Sequence, residues 1–600
     1  LEGDTTLESY LVLLDTFLHR VDADPEKLAN LSATIRREAL PGGGWSQYPG
    51  GPAEISVSCL SYFALKVAGE SADLPHMRLA RAEILRMGGM ERSNTYTKYH
   101  LALFGQLSWR EVPAIPPEMM FLPRLSPFTV YDMSAWSRTI FVPLSILYAH
   151  KPVCALPPSR GVAELFAGAP PGGGARPRAS LKTLFFAVDQ VLKATEKVPG
   201  AGLARRAAVA RAGQWMIDRL EDSDGLSAIL PAMANSAMAL KCLGYGLDHP
   251  LMKEQLAHID GLLLRGDDGS LRMQPCLSPV WDTVLASHAL AQSGAPADHP
   301  ALRRAATWLL GKQCRRSGDW AHRNDAAPGG WYFEHRNEFY PDVDDTCMAL
   351  MVLCHARSHV PEATQQTAIE HGLTWMLGMQ NSDGGWGSFD RDNDKKWLTQ
   401  VPFADHNAMI DPSTADITAR VLECLARFPR FNLAHPVVQR ALDFLRRDQA
   451  SDGCWYGRWG VNYLYGTWQV LRGLRCIGED MQSPVVRRAV RWLVHHQNAD
   501  GGWGESIASY DDVTQRGVGP STPSQTAWAL MGLLAAGEVD SPAVSRAVRH
   551  LITTQDAAGT WQQEWWTGTG FPKVFYLNYH HYRHTFPLMA LGQYRAARWS

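Results

Sequence analysis

One acidic cluster stands out as a place for chemistry: Asp342-Val343-Asp344-Asp345-Thr346, directly after Phe339-Tyr340-Pro341. The proline before it and the apolar run Met348–Leu353 after it place the cluster at a helix N-terminus. A single aspartate there caps the helix and meets its dipole. Three carboxylates within four positions go further, because like charges so close resist joint ionisation. One of them then holds its proton near neutrality, which is what a general acid needs. A second acid, Asp416 in PSTADITAR, stands four residues before Arg420, so the two share a helix face. Aromatic residues gather in the same half of the chain. Trp331-Tyr332-Phe333 precedes the acidic cluster, Trp459 leads into Tyr463-Leu464-Tyr465, and TGTGFP (Thr567–Pro572) runs on to Phe575, Tyr576, Tyr579 and Tyr582. Core packing explains most of them. The remainder suit a dry cavity whose ring faces stabilise cations, each worth roughly 0.5–2 kcal/mol when desolvated. One acid among many π-faces suits carbocation chemistry.

Metal chemistry has little support. Asp344-Asp345 opens like a diphosphate–magnesium site, but Cys347 and Met348 follow and no third ligand is in step. The DRDND run at Asp390–Asp394 begins like a calcium loop yet lacks its glycine and terminal glutamate, and reads as a solvated loop. The histidines show no HExxH pairing. No metal or other cofactor is expected.

The elements that must hold these residues come from an internal repeat. Arg488–Trp503 reads RAVRWLVHHQNADGGW, and Arg440–Trp455, His371–Trp386 and Arg546–Trp561 follow the same skeleton. Arg304–Trp320 fits with one inserted residue, and Arg211–Leu226 fits loosely. Each is an amphipathic helix, a glutamine, a glycine turn and a tryptophan. The glutamine can bond orphaned backbone groups at the helix end. Glycines such as Gly501 allow the left-handed turn. The tryptophan can stack back on the neighbouring repeat. Further helical stretches lie between repeats, and sustained period-two alternation is absent, so the fold is expected to be all-α, built as α/α barrels. Two domains are expected, 1–275 and 276–600, with most repeats in the second. Ala169–Pro177 reads as a Pro/Gly-rich insertion in the first.

Composition excludes several classes. Lys plus Arg total 58 against 60 Asp plus Glu, which argues against nucleic acid held by bulk electrostatics. Ten cysteines stand singly, with no C-x-x-C pair, so neither a disulfide framework nor a zinc ribbon is suggested. No run approaches the ~18 apolar residues of a spanning helix, and no signal peptide is visible. A protein lying on a membrane surface stays open, with Leu181–Val191 as an amphipathic candidate.

Taken together, the QxxDGGW-type repeats, DVDDT, RWGVNYLYGT (Arg458–Thr467), STPSQTAWAL (Ser521–Leu530) and TGTGFP…FYLNY resemble the squalene–hopene cyclases over essentially the whole chain. The related oxidosqualene cyclases carry D-C-T-A-E, which protonates an epoxide, whereas DVDDT is the version that protonates a bare alkene. The resemblance implies two α/α barrel domains, one of them an (α/α)6 barrel, and cyclisation of squalene to hopene, with hopanol if water captures the last cation. It also implies a membrane-inserting apolar patch on the cytoplasmic side and often a homodimer. By the family pattern Asp344 is the proton donor, supported by Asp342, Asp345 and Asp416. Arg420 stands where the best-known version has histidine; staying charged, it can sharpen Asp344 but cannot relay a proton. Trp136, Trp281, Phe333, Phe389, Trp459, Phe571, Phe575, Tyr579 and Tyr582 match aromatic positions lining the family cavity, and Tyr465 and Asp282 match polar positions near the reactive end. Phe389 replaces a familiar tyrosine, Leu230 a glutamine and Tyr10 a glutamate, departures that bear on termination. The rival readings are a class II cyclase acting on a prenyl diphosphate with magnesium, a zinc-dependent prenyltransferase subunit, and a helical scaffold without chemistry.

Overall fold

The computed structural model describes residues 1–123, 125–168, 193 and 201–599. The insertion at 169–177 and the amphipathic stretch 181–191 lie outside the described residues. The chain divides into two compact units, one of Leu1–Leu277 with Lys395–Ile410, the other of Ser278–Asp394 with Asp411–Ser600. Both are helical, as the absence of strand alternation predicts.

In the second unit, helices Pro279–Gln292, Val343–His355, Ala415–Leu425, Tyr463–Ile477, Pro523–Ala535 and Tyr582–Trp599 pack in sequence, and the last closes on the first. They form the inner ring of an α/α barrel. Outer helices Pro300–Leu310, Glu362–Gly378, Pro436–Asp448, Pro484–His495 and Pro542–Thr553 alternate with them in the chain. Ring helices are buried on nearly every side: each residue from Ala415 to Leu425 is buried. Outer helices bury one stripe, as Val486, Ala489, Val490 and Leu493 do in Pro484–His495. A short hairpin, Gly568–Phe571 with Phe575–Leu577, precedes the last helix.

The repeats act as staples, with a division of labour that spacing alone leaves open. Three of the glutamine amides donate to the carbonyl of their own glycine turn and to the first turn of the next outer helix. Gln380 reaches Gly384 and Val437, Gln449 reaches Gly453 and Val485, and Gln497 reaches Gly501 and Ala543, at 2.8–3.0 Å. Each tryptophan turns back on its own helix: Trp386, Trp455, Trp503 and Trp561 donate their indole N–H to the carbonyl ten residues earlier, at 2.8–2.9 Å. Each ring is thus anchored within its own repeat by a hydrogen bond, and Trp331 also lies close against Gly372 of the next outer helix. The turn glycine meets the next helix end-on: a Cβ on Gly384, at φ +99°, would collide with the Arg440 carbonyl oxygen.

One repeat differs from the expectation, and the first unit adds a partial one. In the repeat that starts at Arg304 the tryptophan is Trp331, not Trp320. Trp331 donates to Leu309 O (2.7 Å), while Gln313 holds Gly329 and Ala368. The turn is a longer loop, and Trp320 instead packs edge-on against Trp375. In the first unit Trp45 makes the same indole bond, to Ile35 O at 2.6 Å, without the preceding glutamine.

That first unit is built around the buried helices Thr6–Phe17, Ile55–Val67, Ala135–His150 and Leu230–Cys242. Thr6–Phe17 packs on both Ile55–Val67 and Leu230–Cys242, and Ala135–His150 packs on the latter.

Gln449→Ala leaves two backbone carbonyls without their donor, and is expected to cost about 1–3 kcal/mol of stability. Thermal unfolding checks it against Gln482→Ala at an exposed position, which should change stability by less than about 0.5 kcal/mol.

Candidate active site

Pro341 cannot continue a backbone ladder, and the chain turns into helix Val343–His355 immediately after it. Asp342 is the N-cap: its backbone is extended and its Oδ1 accepts the Asp345 amide at 2.7 Å. Its own amide donates to Trp331 O (2.8 Å), so the repeat tryptophan and the acidic cluster are tied together. Val343 N donates to Ser388 O (2.8 Å). Asp342 and Asp345 are buried, while Asp344 is only half-buried.

Asp344 Oδ1 forms an ion pair with Arg420 Nε at 2.5 Å. The rest of that guanidinium is fully engaged. Nη2 donates to the Tyr465 hydroxyl (3.0 Å), Nη1 to Met348 Sδ (3.1 Å), and the Gln469 amide oxygen accepts from both nitrogens once oriented toward them. Its central carbon lies 5.6 Å from the Trp281 ring centroid. Arg420 is therefore fixed by four neighbours as well as by its charge partner.

Burial governs the acidities. It pushes Asp342 up to about 7, and Asp345, further opposed by Asp342, well above the usual carboxylate range. Burial also raises Asp344, but Arg420 draws it back, leaving it at about 6. Burial works against the charge on Arg420 as well; Asp344 outweighs it and the guanidinium is pushed up, so it stays charged. The cluster thus carries one acid that keeps its proton, Asp345, and two that exchange near neutrality, of which Asp344 is the one paired with Arg420.

Asp416 and Arg420 do share a helix face, yet they do different things. Asp416 Oδ2 accepts the amides of Arg458 (2.7 Å) and Trp459 (3.1 Å), and its Oδ1 that of Ile417. It clamps the loop that carries Trp459, whose indole donates to Ser388 Oγ (2.9 Å). Asp411, which no motif singles out, is a second clamp: it accepts the amides of Ser388, Phe389 and Asp390 at 2.6–3.0 Å. These bonds draw the acidic run at 390–394 inward. Asp390 and Asn393 are buried, in contrast to the solvated loop expected from their polarity.

The predicted aromatic residues fall into groups. Trp281, Phe333, Tyr579 and Tyr582 form one connected set beside Arg420. Trp281 stacks on Phe333 (6.5 Å, 28°), Phe333 meets Tyr579 edge-on, and Tyr579 stacks on Tyr582 (4.4 Å, 7°). The Trp281 indole closes the set by donating to the Tyr582 hydroxyl at 3.0 Å. Phe389 and Trp459 belong to the clamped loops. Phe571 and Phe575 pair across the hairpin. Asp282 sits in the first turn of Pro279–Gln292 and accepts from Ser278 Oγ (2.8 Å). Trp136 lies in the first unit, where its indole donates to Ala408 O. Also in that unit, Tyr10 packs on Tyr96 and His100, and Leu230 is buried.

A layer beneath Tyr465 escapes sequence reasoning. Trp468 and Trp528 stack in parallel (6.2 Å, 2°), and Tyr465 meets both edge-on. Trp528 is visible within STPSQTAWAL, but only the ring closure brings it to Tyr465. Gly460 also matters here: a Cβ on it would stand 2.5 Å from the Tyr465 ring.

Two family models cover the chain, the squalene–hopene cyclase N-terminal domain at residues 1–268 and the C-terminal domain at 277–596. A probable squalene–hopene cyclase of Sinorhizobium fredii is 43% identical over all of this chain and 93% of its own length. The squalene–hopene cyclases of Bradyrhizobium diazoefficiens and Alicyclobacillus acidocaldarius are 42% and 41% identical, over 100% and 99% of this chain and 91% and 94% of theirs. Among solved structures, the ent-copalyl diphosphate synthase of Streptomyces platensis aligns over 99% of this chain and 96% of its own, with a TM-score of 0.52 and 17% identity, a likeness of fold alone.

The raised carboxyl values fix the direction of a pH effect. The folded cluster binds protons more tightly than the unfolded chain, so its contribution to stability is complete below about pH 4 and is lost as pH rises through 6 to 7. Asp345→Asn removes one titrating member and should flatten the fall in melting temperature between pH 5 and 8. An unchanged slope contradicts the assignment.

Proposed function

The chain belongs to the squalene–hopene cyclase family, and on that premise we propose that Asp344 is the acid that starts its reaction. The enzyme cyclises squalene to hopene, an isomerisation that takes up one proton at the start and returns one at the end. The observation that carries the assignment is the sorting of the three acids: Asp342 and Asp345 are buried, and Asp344 is the half-buried member, in contact with Arg420.

In this reading Asp344 delivers its proton to the terminal double bond of folded squalene, and the remaining alkenes attack the moving positive charge in turn. Arg420 stabilises the carboxylate that is left, which makes Asp344 a stronger acid without moving a proton itself. Trp281, Phe333, Tyr579 and Tyr582 offer ring faces to the cations. Asp342 caps the helix, Asp345 keeps its proton, Asp416 holds the loop of Trp459, and Tyr465 orients Arg420. Asp282, Phe389, Phe571 and Phe575 join the wall of the reaction cavity by resemblance. Exclusion of water keeps intermediate cations from early capture, and water reaching the last cation yields hopanol.

Membrane contact follows from the substrate. Squalene has about thirty carbons, and at ~0.8 kcal/mol per buried methylene it stays in a bilayer rather than enter water. None of the described helices is long and apolar enough to cross a membrane. The first unit does expose Phe121, Leu122 and Leu125 close together in sequence, Leu125 at 97%. This patch is the proposed point of insertion. A homodimer at the cytoplasmic face goes with the family and rests on the resemblance.

Asp344→Asn should lower turnover of squalene by at least about 10²–10⁴-fold, the usual range for loss of a general acid; undiminished pentacyclic product by mass spectrometry rejects the donor. Replacing Leu122 and Leu125 by serine should reduce co-sedimentation with liposomes several-fold while leaving activity in detergent close to that of the parent. Equal sedimentation moves the membrane site elsewhere.

A further inference from the structure

The ring helices carry a second polar level beneath the site. On Ala415–Leu425, Asp416, Arg420 and Glu423 stand at i, i+4 and i+7, one face of one helix. Tyr463–Ile477 repeats the pattern with Tyr465, Gln469 and Arg472, Pro279–Gln292 with Trp281, Leu285 and His288, and Tyr582–Trp599 with Tyr582, Phe586 and Met589. Seven helical residues rise about 10 Å. The last member of each series therefore lies two turns below the residues around Asp344.

There, Glu423 Oε1 accepts from Arg472 Nε at 2.8 Å, and Glu423 is 4% exposed. Arg420, Glu423, Arg472 and His288 together border an internal cavity of about 10 Å³, room for one water molecule. Met348, one turn beyond Asp344 on its own helix, borders it too. Asp344, Arg420, Glu423 and Arg472 thus alternate in sign from the site into the protein.

An anion buried at this depth is costly unless it is paired. Pairing with Arg472 keeps it ionised: burial pushes the Glu423 carboxyl up, but Arg472, helped by Arg420 one turn earlier on the same helix, outweighs that and leaves it at about 2. Burial holds His288 down to about 4, so it is neutral. The other ionisable groups facing this level are few. They are Asp344 and Cys347 from Val343–His355, Cys424 and Arg427 at and just past the end of Glu423's own helix, Tyr465, Arg475 and Cys476 from Tyr463–Ile477, and Tyr582 from the last ring helix. Of the outer helices, Pro436–Asp448 contributes Asp448, which faces Asp416.

We propose that Glu423 is a positioning residue for proton transfer: it competes with Asp344 for the positive charge of Arg420, and Arg472 sets the strength of that competition. Arg420 holding a bare carboxylate would keep Asp344 ionised. Glu423 draws part of the field away and lets Asp344 retain a proton to give. The inference rests on Asp344 being the donor.

The test is the pH dependence of kcat/KM with squalene in detergent, for the full chain and its variants. Glu423→Gln should move the alkaline limb down by about half to one pH unit, with a roughly three- to tenfold loss at pH 7 and an unchanged KM. Arg472→Gln should move it the opposite way, and Glu423→Asp should restore the parent profile. A structural role alone would lower the melting temperature and leave the limb in place. Should Glu423→Gln not fold, Arg472→Gln on the more exposed partner tests the same point, since a stationary limb there overturns the proposal. Asp344→Asn separates the two readings. If that variant is inactive and the limbs stay put, Glu423 has no such role; if it remains active, the donor assignment itself is wrong.

Discussion

A carboxyl group that protonates a hydrocarbon faces contradictory demands. It must be kept from water, where the products of proton transfer would be captured, yet removal from water makes it reluctant to release its proton. With Asp344 as the proposed donor, its ion pair with Arg420 at 2.5 Å is the compromise on which the rest of this site depends. Burial alone would leave Asp344 like its neighbour Asp345, held protonated. A nearby guanidinium alone would leave it an ordinary ionised surface acid. Their balance sits near neutrality, and small displacements of Arg420 would upset it.

Much of the second unit can be seen as the means of holding that arginine still. Its nitrogens meet Tyr465, Gln469 and Met348, drawn from two other ring helices, and its face lies against Trp281 from a third. The helices that carry Met348 and Tyr465 each follow a repeat, stapled by Gln313 and Gln449. A glutamine bridging a glycine turn to the next outer helix fixes the height at which an inner helix begins. The stacked indoles of Trp468 and Trp528 then fill the layer under Tyr465 with rigid surface. The loops are treated in the same way: Asp411 and Asp416 use carboxyl oxygens to gather five backbone amides from the segments carrying Phe389 and Trp459, giving irregular chain the fixity of a helix end.

The places where sequence reasoning goes astray share a cause. Trp320 reads as the repeat tryptophan because it stands at nearly the right spacing from Gln313. The structure uses Trp331, since what the staple needs is an indole reaching Leu309 O, and a longer loop delivers it. The run at 390–394 reads as solvated because it is acidic, but a carboxylate elsewhere in the chain, Asp411, supplies no charge complement and instead binds the backbone, drawing the loop inward. Asp416 groups with the acids by its spacing from Arg420, although its Oδ2 is taken by amides more than forty residues away. Local spacing reports which residues share a helix face; it is silent on which distant backbone groups a side chain will meet.

Helix period, repeat and the DVDDT cluster are legible in the chain because each is a local pattern, repeated or dense enough to exclude other arrangements. From these the all-α fold, the family and the acidic cluster at the head of a ring helix can be read directly. Which of the three aspartates meets Arg420 is decided by the ring's closure, how acidic it is by that guanidinium seventy-six residues further on, and what restrains the guanidinium by side chains from a closed ring of six helices. Those are consequences of burial and ring closure. Both arise only when segments remote in sequence are brought together and water is driven from between them.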